Sequence, residues 1–163
     1  MGDEDTQRMY ETETFSEEET FALAGRLAAA AQPGQVYALN GDLGAGKTVF
    51  AKGFAAGLGI DEPVSSPTFT LIHEYEGGRL ALYHFDVYRI GDPDEMYELG
   101  YEDYFYGSGV TLVEWACLIA ELLPPDVITV TMERVPDTEP DHRRIRIAGL
   151  AQGQDIMKDE TYL

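Results

Sequence analysis

Residues 36–58 read VYALNGDLGAGKTVFAKGFAAGL: a short apolar run, a loop holding three glycines, then a segment rich in helix formers. Gly41, Gly46, Lys47 and Thr48 satisfy the G-x-x-x-x-G-K-[ST] pattern in full, in the strand-before and helix-after setting that the pattern requires. A tight loop between Gly41 and Gly46 turns inward the backbone N–H groups of Asp42, Leu43, Gly44, Ala45 and Gly46, and glycine permits the conformations this needs. The helix starting near Lys47 aims the positive end of its dipole at the same place, and the Val49 amide lies within its first turn. Lys47 then reaches the β- and γ-phosphates of a nucleotide, and the Thr48 hydroxyl sits on Mg²⁺. A plain turn between strand and helix has no use for that lysine or that hydroxyl.

Outward from the loop, the chain alternates strand-like and helix-like segments. RMYETETF (8–15) suggests a strand, and Ser16 with Glu19 three residues on forms a capping box ahead of TFALAGRLAAA. In that helix Phe21, Leu23, Ala24, Leu27 and Ala28 recur near helical spacing, and Pro33-Gly34 closes it. The helix after the loop, Lys47 to Leu58, carries Phe50, Phe54 and Leu58 on one face and stops at Gly59. FTLIHEYEGGRLALYHFDVY (69–88) reads as two strands joined at Gly77-Gly78. GDPDEMYELG holds a short helix, YEDYFYGSG is an aromatic-rich surface segment, VTLVEW is a buried strand and LIAELLP a short helix. DVITVTMERV and RRIRIAG pair across a turn at Asp137 to Asp141. The expected fold is α/β: a P-loop NTPase-like three-layer sandwich with a mixed parallel and antiparallel sheet flanked by helices. One domain is expected over 1–163, with 1–7 and 151–163 as flexible tails.

The formal net charge is −19, from 30 acidic and 11 basic residues. Such a surface repels phosphate backbones, so direct binding of nucleic acid or of an anionic membrane by this chain alone is not expected. The sole cysteine, Cys117 in WACLIAELL, reads as a small buried hydrophobe. No apolar run reaches the ~18 residues a membrane helix needs, and MGDEDTQRMY is not signal-like, so a cytoplasmic location is expected. The three histidines are too scattered for a zinc site, and neither a Cys-x-x-Cys nor a Ser–His–Asp order is present. His84, inside YHFD, reads as a strand residue near the active face.

A P-loop ATPase also needs an acid at the end of a neighbouring buried strand. Asp86 ends LALYHFD and Glu114 ends VTLVE. A charge at the end of an apolar run is costly unless it meets a cation or donors. One of the two would bind the metal and the other orient the attacking water, and the spacing does not assign them. In the segment SSPT, Ser66 and Thr68 stand where a switch segment would sense the γ-phosphate.

Taken together, GDLGAGKT, SSPTFTL, YHFDVYR and LVEW, in this order, resemble the bacterial TsaE (YjeE) family, over about Thr20 to Arg146. The resemblance implies a P-loop ATPase required for threonylcarbamoyl modification of tRNA adenosine 37, with ATP and Mg²⁺ as ligands. It implies the TsaD–TsaB transferase complex as partner, which this chain would reset between turnovers, and TsaC or its relative as the source of threonylcarbamoyl-adenylate. Contact with tRNA would then run through the partners. By resemblance Lys47 and Thr48 are the phosphate and Mg²⁺ contacts, Glu114 joins Thr48 on the metal, and Asp86 is the Walker-B-type carboxylate. Thr20 and Arg144 match nucleotide-contacting positions, with Arg143 one step from the latter, and Trp115 packs near the phosphates. Two departures stand out: Val49 where the family often has a second hydroxyl, and Ala116 where it often has proline. Slow turnover alone is expected, because no arginine finger is evident from spacing. Two competing classes are a small-molecule kinase, disfavoured by the lack of an arginine-rich lid, and a nucleotide-dependent binding module without significant hydrolysis.

Overall fold

The computed structural model describes residues 9–42, 44–65, 67 and 71–150. The expected tails, the predicted strand residues Arg8, Phe69 and Thr70, the loop residue Leu43 and the switch candidates Ser66 and Thr68 lie outside the described residues.

Twelve elements follow in chain order among the described residues: β1 (Met9–Thr14), α1 (Glu17–Ala29), β2 (Val36–Asn40), α2 (Lys47–Gly57), β3 (Ile72–Tyr75), β4 (Leu82–Asp86), α3 (Glu95–Glu98), α4 (Tyr101–Phe105), β5 (Val110–Glu114), a 3₁₀ helix (Ala116–Leu122), β6 (Ile128–Arg134) and β7 (Arg143–Ala148). The strands form one sheet in the order β1-β7-β6-β2-β5-β4-β3. Its centre is parallel, with β2 between β6 and β5, and β4 beyond β5. Its margins are antiparallel, β1–β7–β6 on one side and β3–β4 on the other.

Period-two alternation sorts the strand residues onto two faces. Tyr37, Leu39, Leu82, Leu112, Ile145 and Ile147 pack with α1 and α2, whereas Val36, Ala38, Phe85 and Val113 pack with α3, α4 and the 3₁₀ helix. The three-layer α/β sandwich with a mixed sheet is therefore observed. Phe50, Phe54 and Leu58 are all buried, and Phe54 meets Tyr37 edge-on at 5.0 Å. Helices α1 and α2 cross through glycines: a Cβ on Gly53 would stand 2.3 Å from the Phe21 carbonyl oxygen.

Ser16 caps α1 as the sequence predicts, its Oγ accepting from the Glu19 amide at 3.1 Å. Glu19 reaches back one residue further than the usual box and accepts from the Phe15 amide at 2.8 Å. The carbonyl end of α1 is closed from outside: Arg79, in the β3–β4 turn, donates to Ala28, Ala29 and Ala31.

Several expectations need correction. Phe21 is exposed and Thr20 takes the inward position in its place. YEDYFYGSG is a surface segment only in part: it contains α4, which buries Tyr101 and Phe105 in one cluster with Phe85, while Tyr106 stays exposed. The helix expected at LIAELLP starts earlier, at Ala116, and is 3₁₀. Cys117 is exposed, because burial falls on its neighbours Ala116 and Ile119. Among the described residues no helix is long and apolar enough to cross a membrane.

Candidate active site: a glycine loop facing two buried carboxylates

Parallel strands β2, β4 and β5 end at one edge of the sheet, the place where open α/β sheets leave a crevice for ligands. The loop between β2 and α2 bends through Gly44 (φ 82°) and Gly46 (φ 101°), left-handed conformations that glycine adopts without strain. Gly41 is needed for a second reason, since a Cβ there would lie 2.9 Å from the Met132 carbonyl oxygen. Gly46 is the N-cap of α2 and offers no side-chain acceptor, so the first amides of the helix face the cavity uncapped. That cavity has a volume of about 440 Å³, and its walls include Gly46, Lys47, Thr48, Asp86, Glu114 and Arg143.

Lys47 is 7% exposed. Its ammonium donates to the Gly41 carbonyl at 2.7 Å and stands 3.8 Å from the centre of the Trp115 ring. Burial pulls its pKa below the ordinary lysine value, against the opposing pull of Glu114, Asp86, Asp42 and Cys117. Trp115 reaches this place because its backbone is left-handed (φ 61°), breaking β5 directly after Glu114. The Tyr88 ring packs against it, tilted by 44° with the ring centres 4.8 Å apart.

Asp86 and Glu114 sit directly opposite each other at the ends of β4 and β5, and both are buried. Each shares the α1–α2 face of the sheet with Leu82 and Leu112, which points both at the loop. Asp86 Oδ1 accepts from the Tyr88 amide at 3.0 Å, and Glu114 Oε2 is bonded to His84 Nε2 at 2.7 Å. Like charges directly across a strand pair repel, so this end of the sheet favours a cation between them. Among the described residues no group of three or more His, Cys, Asp or Glu side chains is arranged to hold a metal ion. Magnesium is commonly held by one or two carboxylates together with substrate phosphates, and the cluster of Thr48, Asp86 and Glu114 matches that pattern.

Thr48 and Val49 line the cavity, Val49 also bordering a smaller recess shared with Thr20 and Gly46. The Thr20 hydroxyl is 2.7 Å from that of Thr14. Asp42 is exposed on the loop, and its carbonyl accepts from the Ala45 amide at 3.0 Å. Arg144 is not at the site: its guanidinium pairs with Glu11 at 3.6 Å on the far face of the sheet. Arg143 is the residue that reaches the loop, donating to Ala45 O at 2.8 Å and Gly44 O at 3.1 Å. The signal for this was present in the strand's alternation, since Arg143 has the same parity as the core residues Ile145 and Ile147. Arg89, on the cavity wall beside Asp86, is a further basic residue that the sequence reading did not single out. The pairing of His84 with Glu114 was missed as well, because it depends on β4 and β5 being neighbours.

The model of a family described as "Threonylcarbamoyl adenosine biosynthesis protein TsaE" matches residues 14–145. The "tRNA threonylcarbamoyladenosine biosynthesis protein TsaE" of Bacillus subtilis (strain 168) is 50% identical over 147 residues, covering 90% of each chain. The protein of the same description from Treponema pallidum (strain Nichols) is 44% identical over 106 residues, covering 65% of this chain and 78% of its own. A crystal structure described as that of "Bacillus subtilus YdiB" superposes with a TM-score of 0.78 at 44% identity, covering 96% of this chain and 95% of that one.

Proposed function

The chain belongs to the TsaE family, and from that membership we propose that it is an ATPase serving the threonylcarbamoyl modification of adenosine 37 in tRNA, in partnership with TsaD and TsaB. One observation carries the ATPase half of this reading: a lysine ammonium buried against the glycine loop, facing two buried carboxylates across an open cavity. A buried cation of that kind is held ready for an anion, because its own burial disfavours its charge.

In this reading the loop amides and the uncapped start of α2 take the phosphate tail of ATP. Lys47 leaves the Gly41 carbonyl to reach the β- and γ-phosphates. Thr48 and Glu114 are the residues that would hold magnesium, which supplies neutralisation of the charge developing on the phosphates. Asp86 orients a water whose oxygen attacks the γ-phosphorus; the bond to the β-phosphate oxygen breaks, and ADP and phosphate leave. Arg143 fixes the loop by bonding its outward carbonyls, and Trp115 shields the Lys47 ammonium from bulk water. The net charge of −19 suits a subunit that leaves tRNA contact to its partners. Nucleotide state alters the affinity for TsaD–TsaB only through differential binding, and that difference would reset the complex between turnovers.

The test is calorimetric titration of ATP, ADP and GTP with Mg²⁺ into the wild type and Lys47→Ala, followed by phosphate release with and without TsaD–TsaB. Loss of a charged hydrogen bond worth about 1.5–3 kcal/mol predicts a roughly tenfold to hundredfold weaker affinity for Lys47→Ala. Equal affinity of the two proteins refutes the site. Binding without phosphate release above background, even with the partners, leaves a nucleotide-dependent binding module in place of the ATPase.

A further inference from the structure

We propose that His84 is the positioning residue of Glu114: it holds one carboxylate oxygen fast so that the other is presented to the metal-bound nucleotide. This inference rests on the ATP-site reading above. His84 lies on β4 two residues before Asp86 and is 1% exposed. Its Nε2 is 2.7 Å from Glu114 Oε2, and the Glu114 side chain is itself 6% exposed. An ionised carboxylate only accepts hydrogen bonds, so Nε2 carries the proton and donates. The other ring nitrogen, Nδ1, is buried with no hydrogen-bond partner among the described residues.

That half-satisfied ring is what separates a positioning role from a packing one. A histidine serving the core alone would be paired at both nitrogens, or an apolar ring would fill the space at lower cost. Among the described residues the only bond His84 makes through its ring goes to the carboxylate at the cavity. The pairing geometry explains why a holder is needed. Asp86 is directly opposite Glu114, whereas His84 is opposite Leu112 and therefore diagonal to Glu114. Two carboxylates in directly opposed positions repel. The diagonal bond to His84 draws Glu114 back along the sheet, away from Asp86. With Oε2 committed to the ring, Oε1 is the oxygen left for a ligand in the cavity that Glu114 lines.

Trp115, the single tryptophan, follows Glu114 in sequence and lies over Lys47, which makes its fluorescence a reporter of ligand entry. ADP is titrated into wild type, His84→Leu, His84→Gln and His84→Asn, once with excess Mg²⁺ and once with EDTA. Loss of a partner that orients a metal ligand typically costs 10–100-fold in metal affinity. His84→Leu is therefore expected to lose about tenfold or more of the magnesium-dependent gain in ADP affinity while the EDTA arm stays within about twofold. His84→Gln recovers most of the gain, since its amide nitrogen donates from near the place of Nε2, and His84→Asn, one methylene shorter, does not. If His84→Leu does not fold, the Gln and Asn pair carries the same comparison.

A second readout needs no nucleotide. The hydrogen-bonded imidazole N–H should give a strongly downfield proton resonance in the free wild type that is absent from His84→Leu and moved in Glu114→Gln. A full magnesium gain in His84→Leu, equal losses in both arms, or no such resonance overturns the proposal. A wild type that binds no ADP in either arm overturns the ATP-site reading and this proposal with it; a wild type that binds ADP equally with and without magnesium, or a wild-type gain that survives His84→Leu, overturns the proposal alone.

Discussion

Replacing Gly53 and Gly25 by alanine, one at a time, should move stability in opposite directions although both face the same helix crossing. Each glycine is in a helix interior, where alanine is favoured by about 1 kcal/mol. At Gly25 the added Cβ meets only the Gly53 carbonyl oxygen at 3.5 Å and the Gly57 Cα at 4.0 Å, both ordinary contacts. Gly25→Ala should therefore keep the gain and melt about 2–4 °C higher. At Gly53 the Cβ would lie 2.3 Å from the Phe21 carbonyl oxygen and 2.9 Å from the Phe21 carbonyl carbon and Cα. Those are backbone atoms, so relief requires α1 to slide as a body over a core that includes Leu23, Leu27 and Phe54. Overpacking of this sort costs roughly 1–3 kcal/mol, and the depth of the overlap argues for the upper end. The net expectation for Gly53→Ala is a loss of about 2 kcal/mol, or a melting point lower by roughly 4–8 °C. Thermal unfolding followed by circular dichroism, with urea titration as a second measure, reads both. A Gly53→Ala protein that melts at or above wild type would refute the close crossing of α1 and α2.

The two neighbouring arginines should separate cleanly. Arg143→Ala should weaken ADP affinity by about tenfold, because the loop carbonyls lose a charged donor. Arg144→Ala should leave it within about twofold, since a solvent-exposed pair with Glu11 is worth at most about 1 kcal/mol; the reverse order in the same titration would restore Arg144 to the site. Alkaline stability provides a third check. Burial, seconded by a hydrogen bond with Tyr97, pushes Tyr101 up to about 12. The unfolded phenol loses its proton near 10, so between pH 10 and about 12 the folded state holds a proton that the unfolded state has lost, and stability falls as pH rises. Tyr101→Phe should flatten the melting temperature over that window, and an unchanged slope counts against the burial of this ring.

What could be read from the chain divides along physical lines. The glycine loop and its two flanking elements were legible because they are local: a strand, a turn that only glycine tolerates and a helix, contiguous in sequence. The acids were legible as strand ends, since charge after an apolar run is informative by itself. What escaped was decided by pairing across the sheet. His84 meets Glu114 only because β4 and β5 are parallel neighbours. Arg143 rather than Arg144 turns to the loop because of which face of β7 meets α2, and the flanking isoleucines encode that face. Cys117 and Phe21 were misjudged for a different reason. Apolar neighbours in sequence suggest burial, but a 3₁₀ helix and an α-helix each turn part of such a stretch to solvent.

The tether from Arg143 to Gly44 and Ala45 spans almost a hundred residues of chain. On a ribosome the glycine loop emerges long before the arginine that ties down its carbonyls. Met9–Thr14 waits even longer, because its only strand neighbour among the described residues is Arg143–Ala148. A nascent chain stalled at any point before β7 thus carries the phosphate-binding signature in its letters without the closed cradle. Competence to bind should arrive late and abruptly in synthesis, when β7 threads between β1 and β6.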